Sequence, residues 1–177
     1  MPYLREILTE GHPTLRKVAK KVDPADLGDP IFQQLIDDMF ATMYDAPGIG
    51  LAAPQIGIGK RFFTVDLQDD EKPEAGARVF INPKFTLWEG EIEAIEGCLS
   101  VPGMVGDVTR FGRIVCVALD RRGKRFSVDA GGLFARCLQH EMDHLDGILY
   151  IDKAKDLRPA RTDEEVAEAE AVAAGAR

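Results

Sequence analysis

Basic residues, histidine, cysteine and long apolar runs are all scarce in this chain, and each scarcity excludes something. Lys and Arg number 22 against 30 Asp and Glu, a net charge of −8 over 177 residues. That balance argues against a general binder of nucleic acid or of anionic membranes. The longest uncharged stretch, 46–59, is broken by glycine and proline and is too short to cross a bilayer. The first ten residues include Arg5 and Glu6 and hold no apolar run of signal-peptide length, so a cytoplasmic protein is expected. Cysteines number three (Cys98, Cys116 and Cys137), an odd set without secretory context. Free thiols or a metal ligand fit that set better than a disulfide framework. Hydrophobic residues at 45% and charged residues at 29% are ordinary for a globular protein. The length suits one domain that buries about 70% of the surface of its unfolded chain.

There are only three histidines, and two of them stand in Gln139-His140-Glu141-Met142-Asp143-His144. On a helix, residues four apart share a face, so His140 and His144 can offer two imidazole nitrogens to one metal ion. Glu141 lies beside them, where a carboxylate can handle the proton of an activated water. On the same helix Leu133, Arg136, Cys137, His140 and His144 fall within one face about 100° wide. Leu133 and Cys137 are therefore expected to wall a cavity beside the metal, and Arg136 to sit at its rim or on the surface.

Around this segment the pattern reads helix, helix, several strands, then a long helix. Residues 14–22 and 30–44 have helical spacing, the second with Asp29 as N-cap and Pro30 at the first position. In that second helix Ile31, Leu35, Ile36, Met39, Phe40 and Met43 form the apolar stripe. Residues 48–55 read as a loop of small residues. Strands are expected at 61–67, 78–82, 85–95, 113–120 and 126–129, with a charged loop at 69–76 and a polar turn at 121–124. Cys116 is then a core thiol. Gly131-Gly132 opens the histidine-bearing helix, and Gly147 closes it in a left-handed conformation. Thr162 to Glu165 has a capping-box pattern that opens an alanine-rich tail. The expected fold is α+β: antiparallel β-sheets packed around a central His-Glu-x-x-His helix, with N-terminal helices and a C-terminal helix. Residues 1–156 are expected to form a single domain that carries the candidate catalytic groups, and 157–177 a tail with a surface helix.

Two histidines leave a zinc-like site incomplete, and a third protein ligand is needed. No histidine follows His144. Asp146, Asp152, Asp156 and Glu164 are downstream candidates, and Cys98 in Glu96-Gly97-Cys98-Leu99-Ser100 is the upstream one. A downstream ligand would suit a metallopeptidase that cuts internal peptide bonds. A non-catalytic protein that keeps a metal as a structural pin is a third reading.

Three segments in order, Gly48-Ile49-Gly50-Leu51-Ala52-Ala53-Pro54-Gln55, Glu96-Gly97-Cys98-Leu99-Ser100 and Gln139-His140-Glu141-Met142-Asp143-His144-Leu145-Asp146-Gly147, resemble the signature motifs of the peptide deformylase family. The resemblance runs from about Tyr3 to Asp156. It implies a hydrolase that removes the N-formyl group from the initiator methionine of nascent proteins, near the ribosome exit region. It also implies that Cys98, His140 and His144 hold one divalent metal, Fe(II) in the cell, with Zn, Ni or Co as substitutes in purified protein. Glu141 would then act as general base, and the Gln55 amide and Leu99 N–H as oxyanion donors. Ile49 and Gly50 would border the substrate, with Gly50 allowing its backbone to approach closely. Two departures stand out. Pro47 occupies a position that is often acidic in the family, and residues 101–106 lack an arginine that several bacterial members use to contact the peptide.

Overall fold

The structure, a computed structural model, describes residues 1–69, 75–161 and 165. The expected tail helix lies outside them apart from Glu165. Helix α1 spans Pro30–Asp45. Asp29 caps it by accepting the Ile31 N–H, and Pro30 sits where a missing N–H costs nothing. Its buried stripe is Phe32, Ile36, Met39 and Met43. Ile31, read as part of that stripe, is 78% exposed. Asp38 is buried on the same helix, where its carboxylate accepts from the Tyr3 N–H, the Gln34 amide and the Arg5 guanidinium. Burial pushes the Asp38 pKa up, but these donors outweigh it and hold it below the usual carboxylate range.

A pH-dependent prediction follows from Asp38. A folded pKa below the unfolded value makes the group stabilising above about pH 4, and that stabilisation fades as the pH falls through the folded value. Asp38→Asn should therefore lower stability by about 1–3 kcal/mol at neutral pH. The gap to the parent protein should narrow on acidification, as checked by denaturant melts at neutral pH and below pH 4. A gap independent of pH would show that the carboxylate charge is not what matters.

The helix expected at 14–22 is absent. Only a 3-10 turn forms, Pro13–Arg16, capped by His12. Leu15, Ala19 and Val22 do reach the core with helix-like spacing. They do so from a largely extended chain whose backbone bonds elsewhere: Ala19 N–H to Leu145 O, Lys20 N–H to Gly59 O, and Arg61 N–H to Lys20 O. So short a segment nucleates a helix poorly, and tertiary pairing wins.

Among the described residues six antiparallel strands form one hydrogen-bonded network rather than separate sheets. They are β1 (Gly50–Ala52), β2 (Phe62–Val65), β3 (Arg78–Cys98), β4 (Val101–Leu119), β5 (Arg125–Gly131) and β6 (Lys155–Pro159). β1 to β5 neighbour one another in order, and β6 pairs with β4. The two strands read at 78–82 and 85–95 are one strand, interrupted by irregularities between Ile81 and Lys84 and between Phe85 and Leu87. Asn82 sits at the first of these with φ 49°, a conformation asparagine tolerates, and its side chain bonds both backbone groups of Val22. β4 begins well before residue 113, and β6 crosses position 156 of the expected domain boundary. The small-residue segment is not all loop: β1 is followed by a 3-10 turn, Ala53–Ile56.

Helix α2 (Gly132–Leu145) packs against β1, β2, β4 and β5. It is buried on nearly every side, including Ala135, Cys137, Leu138, Glu141, His144 and Leu145. Gly147 ends it at φ 73°, where an added Cβ would lie 2.7 Å from Arg16 O. Both the left-handed backbone and the close neighbour therefore require glycine. Among the described residues no helix is long and apolar enough to cross a membrane.

Candidate metal centre

One turn of α2 separates His140 from His144, and the end of β3 brings Cys98 against them. The ligand atoms of Cys98, His140 and His144 lie within 4.8 Å of one another. Cys98 Sγ is 3.3 Å from His144 Nε2. Sulfur and two imidazole nitrogens form a donor set for a divalent transition metal. His144 Nδ1 is buried without a hydrogen-bond partner among the described residues, and so is Glu141 Oε2. Burial, together with His140 and Arg110, drives the His144 pKa far down and keeps this ring neutral, as a ligand must be. At His140 burial opposes charge, but Cys98, Glu96 and Glu141 outweigh it and push its pKa up to about 10. A positive charge is therefore favoured where these groups meet, and the residues present fit a cation.

Glu96 is the functional residue that sequence reasoning missed. In the sequence it stands only as the first residue of the cysteine motif, yet it is buried and central. Its Oε1 accepts from Arg110 Nε at 2.8 Å and from Arg136 Nη1 at 2.7 Å. Its Oε2 accepts from Arg110 Nη2 at 2.9 Å and pairs with His140 Nδ1 at 3.0 Å. Burial alone would raise the Glu96 pKa, but Arg110 and His140 hold it far below the carboxylate range. With a metal bound in place of the other ring proton, an ionised Glu96 would keep a proton on His140 Nδ1 and leave the Nε2 lone pair for the ligand bond. Arg110 is tied in turn to Asp143, which Lys153 also contacts. The available signal was Arg110 itself, an arginine on the buried phase of an alternating strand, which demands a buried partner.

Arg136 is not on the surface, although it is among the residues that line the cavity beside the three donors. Its guanidinium is buried against Glu96, Val108 O and Ile92 O. Its place on the histidine stripe serves the carboxylate that orients His140. Of the downstream ligand candidates, Asp146 pairs with Arg61, and Asp152 pairs with Arg16 while accepting the Leu149 N–H. Asp156 lies in β6 at φ 51°, Glu164 falls outside the described residues, and the three-donor cluster contains none of the other three.

Beside the three donors, Glu141 is only 4% exposed, and burial pushes its pKa up to about 7. Gln55 is buried opposite. The Ala52 N–H donates to Gln55 Oε1 at 2.8 Å, which fixes the amide so that Nε2 lies 3.1 Å from Ser100 Oγ and 3.7 Å from Cys98 Sγ. A cavity of about 540 Å³ opens onto these groups. Ile49, Gly50, Leu99, Cys137 and the largely exposed Leu133 line it. Gly50 has a tighter reason to be glycine than a nearby substrate. An added Cβ would lie 2.4 Å from Glu141 Oε1 and 3.0 Å from Cys137 Sγ. A sulfur–nitrogen cluster beside a buried carboxylate and a fixed amide donor has the chemistry of a metallohydrolase centre.

Residues 4–160 match the family model described as polypeptide deformylase. A peptide deformylase of Symbiobacterium thermophilum is 51% identical over 166 residues, covering 93% of this chain and 74% of that protein. The crystal structure of a peptide deformylase from Legionella pneumophila superposes with a TM-score of 0.80 at 45% identity, covering 87% of this chain and 88% of that one. A class I type b peptide deformylase from Acinetobacter baumannii, solved with Met-Ala-Ser bound, gives a TM-score of 0.80 at 34% identity over 86% of this chain and 99% of that one. The chain belongs to the polypeptide deformylase family, and with it to the hydrolases.

Proposed function

We propose that this protein hydrolyses the N-formyl group from the N-terminal formyl-methionine of newly made proteins, in the cytoplasm of a bacterial cell and near the ribosome exit, and releases formate. The observation that carries the reading is the convergence of Cys98, His140, Glu141 and Gln55 on one cavity, with His144 completing the donor cluster, in a chain of this family. Cys98, His140 and His144 are the residues that would hold the metal, Fe(II) in this reading. When bound, it would supply Lewis acidity and lower the pKa of a water.

The chain's own groups do the rest. Glu141 takes the proton of the attacking water and delivers it to the amine that leaves, so water and formamide become formate and a free N-terminus. The Gln55 Nε2–H and the Leu99 backbone N–H donate to the oxygen that gains charge as the formyl carbon is attacked. Cys137 and Leu133 wall the cavity that takes the methionine side chain, with Ile49 and Gly50 along the peptide. Where the arginine of other members is missing, Val101, Pro102 and Met104 line the cavity instead. Recognition beyond methionine is therefore apolar here.

The test is formate release from three peptides alike except for a formyl, an acetyl or a free N-terminus. Release from the formyl peptide alone is expected, and internal cleavage of any of the three would overturn the reading. Gly50→Ala tests the packing of Glu141. The added methyl forces β1 and the carboxylate apart, and a displacement near 1 Å at a reacting group costs about 10²-fold in rate. Turnover should fall by that order with metal content unchanged, as read by steady-state kinetics and metal analysis; unchanged turnover would show that Glu141 can move freely.

A further inference from the structure

The first ten residues carry none of this chemistry, yet their backbone grips both turns that bear the oxyanion donors. The Tyr3 N–H donates to Asp38 Oδ1 at 2.8 Å and the Arg5 N–H to Thr42 Oγ1 at 2.9 Å, pinning the chain to α1. Further on, the Leu8 N–H donates to the backbone oxygen of Gln55 at 2.7 Å, and the Glu10 N–H to that of Ser100 at 2.7 Å. Gln55 stands in the 3-10 turn after β1, and Ser100 follows Leu99 directly in the turn between β3 and β4. Between the two pairs of anchors, Ile7 packs in the same apolar cluster as Ile56, Ile58 and Leu99. Both active-site bonds are made by main-chain N–H groups, so no side-chain motif reveals them.

We propose that residues 7–10 are a strap that sets the spacing of the two donor-bearing turns, with Leu8 and Glu10 as positioning residues through their N–H groups. The proposal rests on the oxyanion reading of Gln55 and Leu99 given above. The two turns are 45 residues apart in sequence and also meet through the Gln55 Nε2–Ser100 Oγ bond. That bond joins a side chain that must also face the substrate. The strap instead holds the backbones, from residues that do not line the cavity, and leaves the orientation of the Gln55 side-chain amide to Ala52 and Ser100. Donors of this kind act only when held to about 0.5 Å of the productive geometry.

The experiment replaces the Leu8 and Glu10 amides by esters, singly and together, in the full-length metal-loaded enzyme. The matching α-hydroxy acids remove each N–H and keep the side chain. The readouts are kcat and KM for formyl-Met-Ala-Ser, affinity for the product Met-Ala-Ser, metal per chain and thermal unfolding. Each ester should lower kcat by about 10-fold, a fraction of the loss on removing a whole donor. KM, product affinity and metal content should stay within about twofold, because groups that act only in the transition state are the ones displaced. In a Gln55→Ala background the Leu8 ester should cost far less, since its effect runs through Gln55. An unchanged kcat in the double ester, an equal loss in both backgrounds, or a loss that follows metal content would each overturn the strap. If the double ester unfolds, the single Leu8 ester decides. Gln55→Ala with normal kcat would remove the oxyanion reading itself, whereas an impaired Gln55→Ala beside unaffected esters removes only the strap.

Discussion

Glu141→Gln is expected to keep its metal and its fold while turnover falls by roughly 10²–10⁴-fold. The substitution preserves the shape of a side chain that is 4% exposed and wedged against Gly50, so packing changes little. What it removes is the capacity to take a proton. Burial is the main cause that pushes the Glu141 pKa up to about 7, where a carboxyl group can both accept and return a proton near neutrality. A cation on the neighbouring donors would draw that value down again, which favours the basic form before water is attacked. Glu141 Oε2 has no hydrogen-bond partner among the described residues, so no protein group competes for the proton. Turnover of a formyl-Met peptide, measured beside metal per chain, decides the matter. Near-normal turnover in the loaded variant would end the proton-shuttle assignment.

The parts of this molecule that could be read from its sequence are those whose cause is local. Helix α1 announces itself through Asp29, Pro30 and its apolar spacing, and α2 through the glycines at its two ends. The two histidines could be paired because helical geometry alone sets their spacing. The long β3–β4 hairpin could not be read in full, because glycines at 103, 106 and 112 hide the pattern of β4. Gly106 shows why they are there. A Cβ on it would lie 2.8 Å from Ala154 Cβ and 3.0 Å from Leu157 Cδ2, so β6 can pair with β4 only where that side chain is missing. Such a constraint comes from a partner some fifty residues away, and no local window contains it. Arg136 and Gly50 follow the same logic. The sequence places Arg136 on the histidine stripe of α2 and Gly50 in a loop rather than in β1, and the roles of both depend on Glu96 and Glu141 reaching them from other segments.

The cysteines give the second large effect. Cys98→Ser should strip the metal from the protein, whereas Cys116→Ser and Cys137→Ser should retain it. All three thiols are free, so reactivity with a metal is decided by surroundings alone. Burial raises the Cys116 thiol to about 12 and the Cys137 thiol well above its usual value, the latter also through the charges of Glu141 and Glu96. Both therefore stay protonated and are poor ligands. Cys98 alone stands in the cluster with His140 and His144, and serine there offers a neutral hydroxyl where a thiolate is needed. Loss of a group that merely orients a ligand costs about 10–100-fold in metal affinity, and loss of a ligand should exceed that. Metal per chain after gel filtration of the three variants is the measurement. If Cys98→Ser kept its metal while Asp146→Asn or Asp152→Asn lost it, the third ligand would lie downstream. The turn that carries Leu99 would then have no metal to hold it, and the oxyanion role of that N–H would fall with the ligand assignment.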